Sequence, residues 1–437
     1  MARFTRTRSS LALRAVVLLL LGSLAAACGG GSSGSGGSSS DKVTLRVAWW
    51  GSDSRHTYTK KIIELYQQEH PNVTIQPDYT SFDNYWNKLA TAVAAGKGPD
   101  VMQQDVRYVR EYANRGALAD LTPFLGKQIR NADFDPAVNA TGTIDGKNYA
   151  IPTGINAFAI VANPAVFAKA GVPLPDDTTW TWDDLAKVAA QVTAKSPKGT
   201  YGLQDLGYVD VTLDIWTRQH GETLFDDKGK IAVTKPTLTA WYAYVQQLRA
   251  TAAEPPASLS VEVQHGGVDQ SLTATGKGGL GGWWTNQLPA LTKAAGTPLK
   301  LLRMPGDSTR PGTYFKPAMF WSMSANSSHR DAAAAFIDFL MNDPRVATMT
   351  LSDRGLPTNL KLRAAITPQL KEADKLGLAF IDRIKPTIGT QPPLQPKGMG
   401  KVVTDMAKIN EQVLFGKQTP EQAADAFLQQ ARTDLGA

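Results

Sequence analysis

Asp145-Gly-Lys-Asn-Tyr-Ala-Ile-Pro-Thr-Gly-Ile-Asn-Ala-Phe-Ala-Ile-Val-Ala-Asn163 is the stretch whose reading decides the fold. Asp145-Gly146 is a turn signal, and Tyr149 to Ile151 begins an extended run. Pro152 fixes its own φ and biases Ile151 away from helix, while Gly154 has backbone freedom its neighbours lack. A second apolar strand, Phe158 to Val161, follows at once. Two short strands joined by a Pro-Gly break make either a bent hairpin strand or a chain crossing between lobes. Periodicity does not separate the two, so the decision rests on the flanking sequence.

Upstream, Val43, Leu45, Val47 and Trp49 alternate with Thr44, Arg46, Ala48 and Trp50, which predicts a strand. A helix is expected from about Arg55 to Glu69, then a strand from Val73 to Tyr79. Ser81 caps a helix whose apolar positions include Phe82, Tyr85, Trp86, Leu89 and Val93, and Pro99 to Met102 opens a third strand. Strand–helix–strand–helix–strand implies a parallel sheet covered by helices, with ligands beyond the carboxyl ends of the strands. Those ends are Trp49-Trp50-Gly-Ser-Asp53, Tyr79-Thr80 and Gln103-Gln-Asp105.

Downstream the pattern restarts. Thr181-Trp-Asp-Asp184 reads as a capping box, a helix spans about Pro236 to Arg249, and residues 261–275 are weakly helical. Gly278 to Trp284 is a glycine-loaded strand ending in two tryptophans, and Leu299 to Met304 is another. A strand from Ala318 to Met323 is followed by a capping box at Ser328-His-Arg-Asp331 and a helix from Ala332 to Met341. Two helices close the chain, the second opened by Thr419-Pro-Glu-Gln422.

A chain of 437 residues exceeds one compact core, so two lobes are expected. Its first 28 residues read as a leader: Arg3, Arg6, Arg8 and Arg14 precede the short apolar run Ala15 to Leu24. The run ends at Ala-Ala-Ala-Cys28, the only cysteine, which resembles a bacterial lipoprotein signal whose cysteine is lipidated. Residues 29–40 are all Gly or Ser, a flexible tether of about 40 Å contour. Removing the leader takes four positive charges and lowers the net charge from +7 to +3. That is too mild a charge to argue for nucleic acid.

Enzyme signatures fail on context. Gly30-Gly-Ser-Ser-Gly34 matches a nucleophile elbow but lies in the tether. Gly276-Lys-Gly-Gly-Leu-Gly281 matches a dinucleotide fingerprint but runs into two tryptophans. The five histidines are dispersed, so neither a metal nor a cofactor is expected. The aromatics are the sharper signal. Trp49-Trp50 and Trp283-Trp284 end strands, and Trp321 lies in the third group, whereas Trp86, Trp182 and Trp241 read as packing. Indole faces stack on the C–H faces of sugar rings, while carboxylates and amides bond hydroxyls. Asp53, Asp105, Asn156 and Arg354 are polar groups near those strand ends. A few such groups aimed into an apolar cleft make a ligand site.

Taken together, the chain resembles the extracellular solute-binding proteins of carbohydrate ABC transporters, from about residue 43 to 435. The carriers include Ala95-Gly-Lys-Gly-Pro-Asp-Val101, Gly116-Ala-Leu-Ala-Asp-Leu-Thr-Pro123, Gly146-Lys-Asn-Tyr-Ala-Ile-Pro152 and Asn163-Pro-Ala-Val-Phe167. Trp182-Asp-Asp-Leu185, Gly276 to Trp284, Gly355-Leu-Pro357 and Gly416-Lys-Gln-Thr-Pro-Glu-Gln422 continue them in the family's order. The resemblance implies an α/β, two-lobed periplasmic-binding-protein-like fold with crossing hinge strands and a ligand cleft. It implies one lobe from residues 41–154 plus 320–360 and the other from 157–317 plus 366–437. Hinge positions are Pro152, Gly154 and Phe320, and Leu360 to Pro368 would return the chain to the second lobe. The family's cleft aromatics map to Trp49/Trp50 and Trp283/Trp284. At a third aromatic position this chain has Gln391-Pro-Pro-Leu-Gln-Pro-Lys397, which points away from a maltodextrin-like ligand.

The expectation is a monomeric, lipid-anchored receptor on the extracellular face of the cell membrane. It would deliver a carbohydrate to the transmembrane subunits of an ABC permease. The rival ligands are other polar solutes such as a glycerophosphodiester, and a solute sensor feeding a signalling receptor fits the sequence equally. The rival class is a secreted glycosidase with Asp53 and Asp105 as its acid pair, which needs carboxyls about 5–9.5 Å apart.

Overall fold

The structure is a computed structural model and describes residues 42–436 apart from 227, 307, 308, 390, 391 and 393. Strands β1 (Val43–Trp50), β2 (Val73–Thr80) and β3 (Val101–Gln104) come first. A short hairpin follows, β4 (Thr143–Ile144) and β5 (Lys147–Asn148), turning on Asp145 and Gly146 at φ 49° and 77°. The others are β6 (Ile151–Pro152), β7 (Gly154–Ala162), β8 (Tyr201–Leu203), β9 (Gly278–Trp284) and β10 (Lys300–Leu302). β11 (Phe315–Pro317), β12 (Phe320–Met323) and β13 (Leu356–Pro357) complete them.

The strands form two main sheets. One has the order β2-β1-β3-β12-β6, with β1, β2 and β3 parallel as the alternating pattern predicts. The other has the order β10-β7-β9-β8, with β11 and β13 added against β7. Each sheet is apolar on both faces because helices cover both. In the first, Leu45, Val47 and Trp49 join Ile62, Tyr66 and Phe336 on one face, while Ala48 and Trp50 join Tyr85 and Trp86 on the other. In the second, Phe158 and Ile160 meet Trp182 and Trp241, and Ala157, Ala159 and Val161 meet Leu288 and Phe380. The fold is α/β and two-lobed.

The opening stretch is the crossing. β6 belongs to the first sheet and β7 to the second, with Thr153 alone between them. The chain crosses back at Ala318-Met319, between β11 and β12. Its third passage is β13 at Leu356–Pro357, earlier than the expected Leu360 to Pro368, which is helix Leu360–Ile366 instead. Backbone bonds tie the crossings together: Thr153 N–H to Met319 O at 2.9 Å, Ala318 N–H to Gly154 O at 2.8 Å and Thr358 N–H to Thr153 O at 3.1 Å. Gly154 is required by this crowding, since a Cβ there would sit 2.4 Å from the Leu356 carbonyl oxygen.

Local signals fared unevenly. The boxes at Thr181 and Thr419 close reciprocally. The box expected at Ser328 does not form, and the helix Arg330–Asn342 starts from His329 without a side-chain cap. Ser327 takes the local role, accepting from His329 N–H and donating to Asp100, while Asp331 accepts from Gln128 rather than reaching back.

Candidate functional site

Where helix Val106–Asn114 faces helix Asp210–Gln219, the two lobes form a cavity that is open to solvent. Its apolar walls include Val106, Leu224, Phe225, Leu394 and Met399, and its charged groups are Asp210, Asp214, Arg218, Asp226 and Lys316. Helix Asp210–Gln219 buries Val211, Leu213, Ile215 and Trp216 in the second lobe. At 3.6 residues per turn, positions 210, 214 and 218 then share the remaining stripe, which puts two carboxylates and a guanidinium at the cavity.

These groups are held by one another. Arg107 forks onto Asp210, and Tyr314 bonds the Asp214 carboxylate. Arg218 donates to Gly312 O at 3.0 Å with its guanidinium 5.1 Å from the Tyr314 ring centre. The Lys316 ammonium lies 3.4 Å from Asp105 and 4.9 Å from the centre of the Trp284 ring. Burial alone would raise the Asp210 pKa, but Arg107, then Lys316 and Gln395, outweigh it and hold it below the ordinary carboxylate value. Asp214 is pushed up to about 6 by burial, which Tyr314 and Arg218 only partly offset. Asp210, Asp214 and Asp226 thus line the cavity with Arg218 and Lys316, while Arg107 and Asp105 pair with Asp210 and Lys316 beside it. The site is close to charge balance, with many oxygen acceptors and several N–H donors.

The residues expected to bind ligand are placed as follows. Trp284 and Asp105 meet through Lys316 beside the cavity, and Asn156 pairs in register with Lys316, its Oδ1 buried and without a partner. Trp283 points to the opposite face of β9, where it packs with the other core cluster of that sheet. Trp49 does not reach the cleft. It is fully buried, donates to His56 Nδ1 at 3.1 Å and stacks on Tyr79 at 5.1 Å. Trp50, on the other face of β1, is buried in a cluster with Phe82, Tyr85 and Trp86. Trp321 is also core, 1 % exposed, with Arg354 4.9 Å from its ring centre. Arg354 is a buried strut rather than a cleft group, bonded to Gln103 Oε1 at 2.8 Å and Thr59 Oγ1 at 3.0 Å. Asp53 is exposed in the first turn of helix Asp53–Glu69 and does not line the cavity. Strand ends next to helices are where large rings complete a core, so a terminal tryptophan pair is a weak guide to a site. Pro152 and Phe320 face each other across β6 and β12, and Gly154 pairs with Pro357. Cys28 and the tether lie outside the described residues.

Sequence reasoning missed Asp210, Asp214, Arg218, Phe225, Tyr314 and Lys316. A signal for three of them was present: charge at every fourth position of a helix whose other residues are uncharged. The segment noted for lacking an aromatic does contribute, through Pro392, Leu394, Gln395 and Pro396. Among the described residues no group of three or more His, Cys, Asp and Glu side chains is placed to hold a metal, and no helix is long and apolar enough to cross a membrane.

The family model for bacterial extracellular solute-binding proteins matches residues 51–344. The chain is similar to an uncharacterized lipoprotein of Streptomyces antibioticus, 26 % identical over 79 % of this chain and 77 % of that one. It is also similar to the diacetylchitobiose binding protein of Streptomyces coelicolor, 25 % identical over 64 % of this chain and 67 % of that one. Its fold is shared with a periplasmic oligogalacturonide binding protein from Yersinia enterocolitica solved with saturated digalacturonic acid. That likeness has a TM-score of 0.80 at 22 % identity, over 90 % of this chain and 99 % of that one.

Proposed function

The chain belongs to the family of bacterial extracellular solute-binding proteins, and on that premise we propose that it captures a neutral sugar or short oligosaccharide for an ABC permease. It does so as a monomeric lipoprotein held to the outer face of the cell membrane through Cys28, with residues 29–40 as its tether. The segments up to Pro152 and from Phe320 to Gly355 act as one lobe, and those from Gly154 to Pro317 and from Leu356 onward as the other. They hinge where Pro152, Gly154 and Phe320 gather.

The observation that carries this reading is the near-balanced set of carboxylates and cations between apolar walls in the cavity. Such a set bonds hydroxyls through charge-assisted hydrogen bonds worth about 1.5–3 kcal/mol each, and gives an anionic ligand no excess of positive charge to settle against. A glycerophosphodiester fits it less well for that reason. Asp210, Asp214, Arg218 and Lys316 are the groups assigned to hydroxyls. Phe225 and Trp284 are assigned to the apolar face of a ring, and Asn156 supplies an amide. The names of the Streptomyces coelicolor and Yersinia enterocolitica proteins support a carbohydrate. Ligand contacting both lobes stabilises the closed form by its differential affinity, and the permease reads that closure.

Calorimetry of the leaderless protein against a panel of neutral mono- and oligosaccharides tests the assignment. Micromolar binding, about −8 kcal/mol, is the expected result. Failure of every sugar together with saturable binding of a phosphodiester would overturn it.

A further inference from the structure

We propose that Asp205, Glu254, Asn410 and Tyr208 form an oxygen-lined site for a divalent cation of the calcium type inside the second lobe, apart from the cleft. Asp205 lies just beyond β8, Glu254 follows the helix Lys235–Ala250, and Asn410 sits on the helix Met399–Leu414. All four are deeply buried, at 5 %, 3 %, 0 % and 4 % exposure respectively.

The side-chain oxygens that meet here are unusually unsatisfied. Asp205 Oδ2, both Glu254 carboxylate oxygens, Asn410 Oδ1 and the Tyr208 hydroxyl each lack a well-formed hydrogen bond, although the Leu206 N–H approaches the Glu254 carboxylate and the Tyr208 N–H that of Asp205. The bonds that do form set the orientation. Gly207 N–H and Asn410 Nδ2 donate to Asp205 Oδ1, at 2.7 and 3.2 Å, which leaves Asp205 Oδ2 and Asn410 Oδ1 for something else. Gly207 makes room for that amide, since a Cβ there would fall 2.1 Å from Asn410 Oδ1.

Among the described residues no Lys, Arg or His side chain pairs with either acid. Asp205 and Glu254 lie close enough to interact through their charges. A buried carboxylate pair without a counter-charge must either take up a proton or bind a cation. One shared proton joins two of the unpartnered oxygens and leaves the others unmet. A hard divalent ion takes six to eight oxygens at about 2.3–2.6 Å, neutralises both carboxylates and uses the amide and phenol oxygens as well. The ion would tie the end of β8 to two helices and stiffen the lobe.

The test uses the leaderless protein after dialysis against EDTA. Adding CaCl2 at constant ionic strength is expected to raise Tm saturably by several degrees, because a ligand that binds only the folded state stabilises it by mass action. Tb3+ is expected to give luminescence sensitised by excitation of tyrosine and displaced by Ca2+. Glu254→Gln should abolish both responses. Absence of either response in the wild type overturns the site and leaves the acids sharing a proton. Responses that persist in Glu254→Gln place the ion elsewhere and overturn it equally. Tyr208→Phe, which keeps the ring and removes the hydroxyl, gives a second variant should Glu254→Gln fold poorly: it should weaken both responses, and unchanged responses overturn the site.

Discussion

Arg107 and Asp210 stand 103 residues apart in the chain and meet as a two-pronged ion pair, Nη2 to Oδ1 at 2.8 Å and Nε to Oδ2 at 3.4 Å. The pair joins the first helix after β3 to the helix that lines the cavity in the other lobe. It is poorly hydrated, with side-chain exposures of 19 % and 8 %.

Breaking a buried pair costs about 3–5 kcal/mol because a charge is left without its partner, and partial exposure of Arg107 trims this to about 2–3 kcal/mol. Asp210→Asn should lower the urea midpoint at pH 7 accordingly. The Asp210 pKa is depressed in the folded state. Its contribution is therefore present above the unfolded value of about 3.9 and lost as pH falls through the folded value. Wild type and Asp210→Asn should converge in midpoint as the pH is taken below about 4. A constant difference down to the acid limit would show that the carboxylate charge is not the cause.

Asp214 has the opposite sign. Its folded pKa is about 6, against about 3.9 unfolded, so between those values the native state holds a proton that the unfolded chain has shed. Stability should fall as pH rises through that window and stay lower above it. Asp214→Asn should flatten this step and melt higher than wild type above pH 6. Sugar affinity in the wild type should tighten through the same pH as the carboxylate ionises, and the variant should lack the change. Parallel melting and binding profiles of the two proteins check it.

Gly400 opens a close approach between the lobes. A Cβ there would lie 2.7 Å from Tyr108 Cε1, and the Tyr108 ring is stacked on Trp86 at 3.8 Å between centres. The ring has little room to retreat. Gly400→Ala should hold the lobes apart and weaken sugar binding by about tenfold, an order-of-magnitude figure for a contact cost of about 1.4 kcal/mol. Calorimetry with small-angle scattering reads both effects. A ligand-bound radius of gyration equal to wild type would refute the wedge.

Trp49 and Trp284 separate packing from binding. Trp49→Ala empties a fully buried site and should cost about 3–5 kcal/mol in urea denaturation. Any loss of sugar binding should follow from unfolding alone. Trp284, half-buried beneath Lys316, should show the reverse when changed to Ala: a modest loss of stability and a large loss of affinity. Equal stability losses would remove the distinction.

Cys28→Ser tests the anchor. The unaltered precursor, expressed in a bacterium that processes lipoproteins, should partition into detergent and membrane fractions. The variant should be recovered in the aqueous phase, since it lacks the one thiol to which an acyl chain would be attached. Equal partitioning of the two would exclude lipidation at this residue.

Much of the architecture was legible in the chain because it rests on short-range rules. Period-2 and period-3.6 patterns placed β1 to β3 and their helices, and the boxes at Thr181 and Thr419 fixed two helix starts. The box read at Ser328 failed because Gln128, distant in the chain, takes the Asp331 carboxylate, while the neighbouring Ser327 accepts from His329 N–H. The tryptophan reading failed more broadly. A strand end can turn a ring into the cleft or into the core, and only the covering helices decide which. At Trp49 and Trp50 both faces of β1 are covered.

The sequence by itself determined the two α/β patterns and the break at Pro152 and Gly154, because alternation, proline φ and glycine freedom act within a few residues. That the break carries the chain from one sheet to the other was decided by the tertiary structure. There β12 pairs with β6, and β11 and β13 pair with β7. The site was decided the same way. Arg107, Asp210, Tyr314 and Lys316 are scattered over some two hundred positions, and no local rule relates them. They become one network only where burial denies each charge its water and leaves the others as its nearest partners.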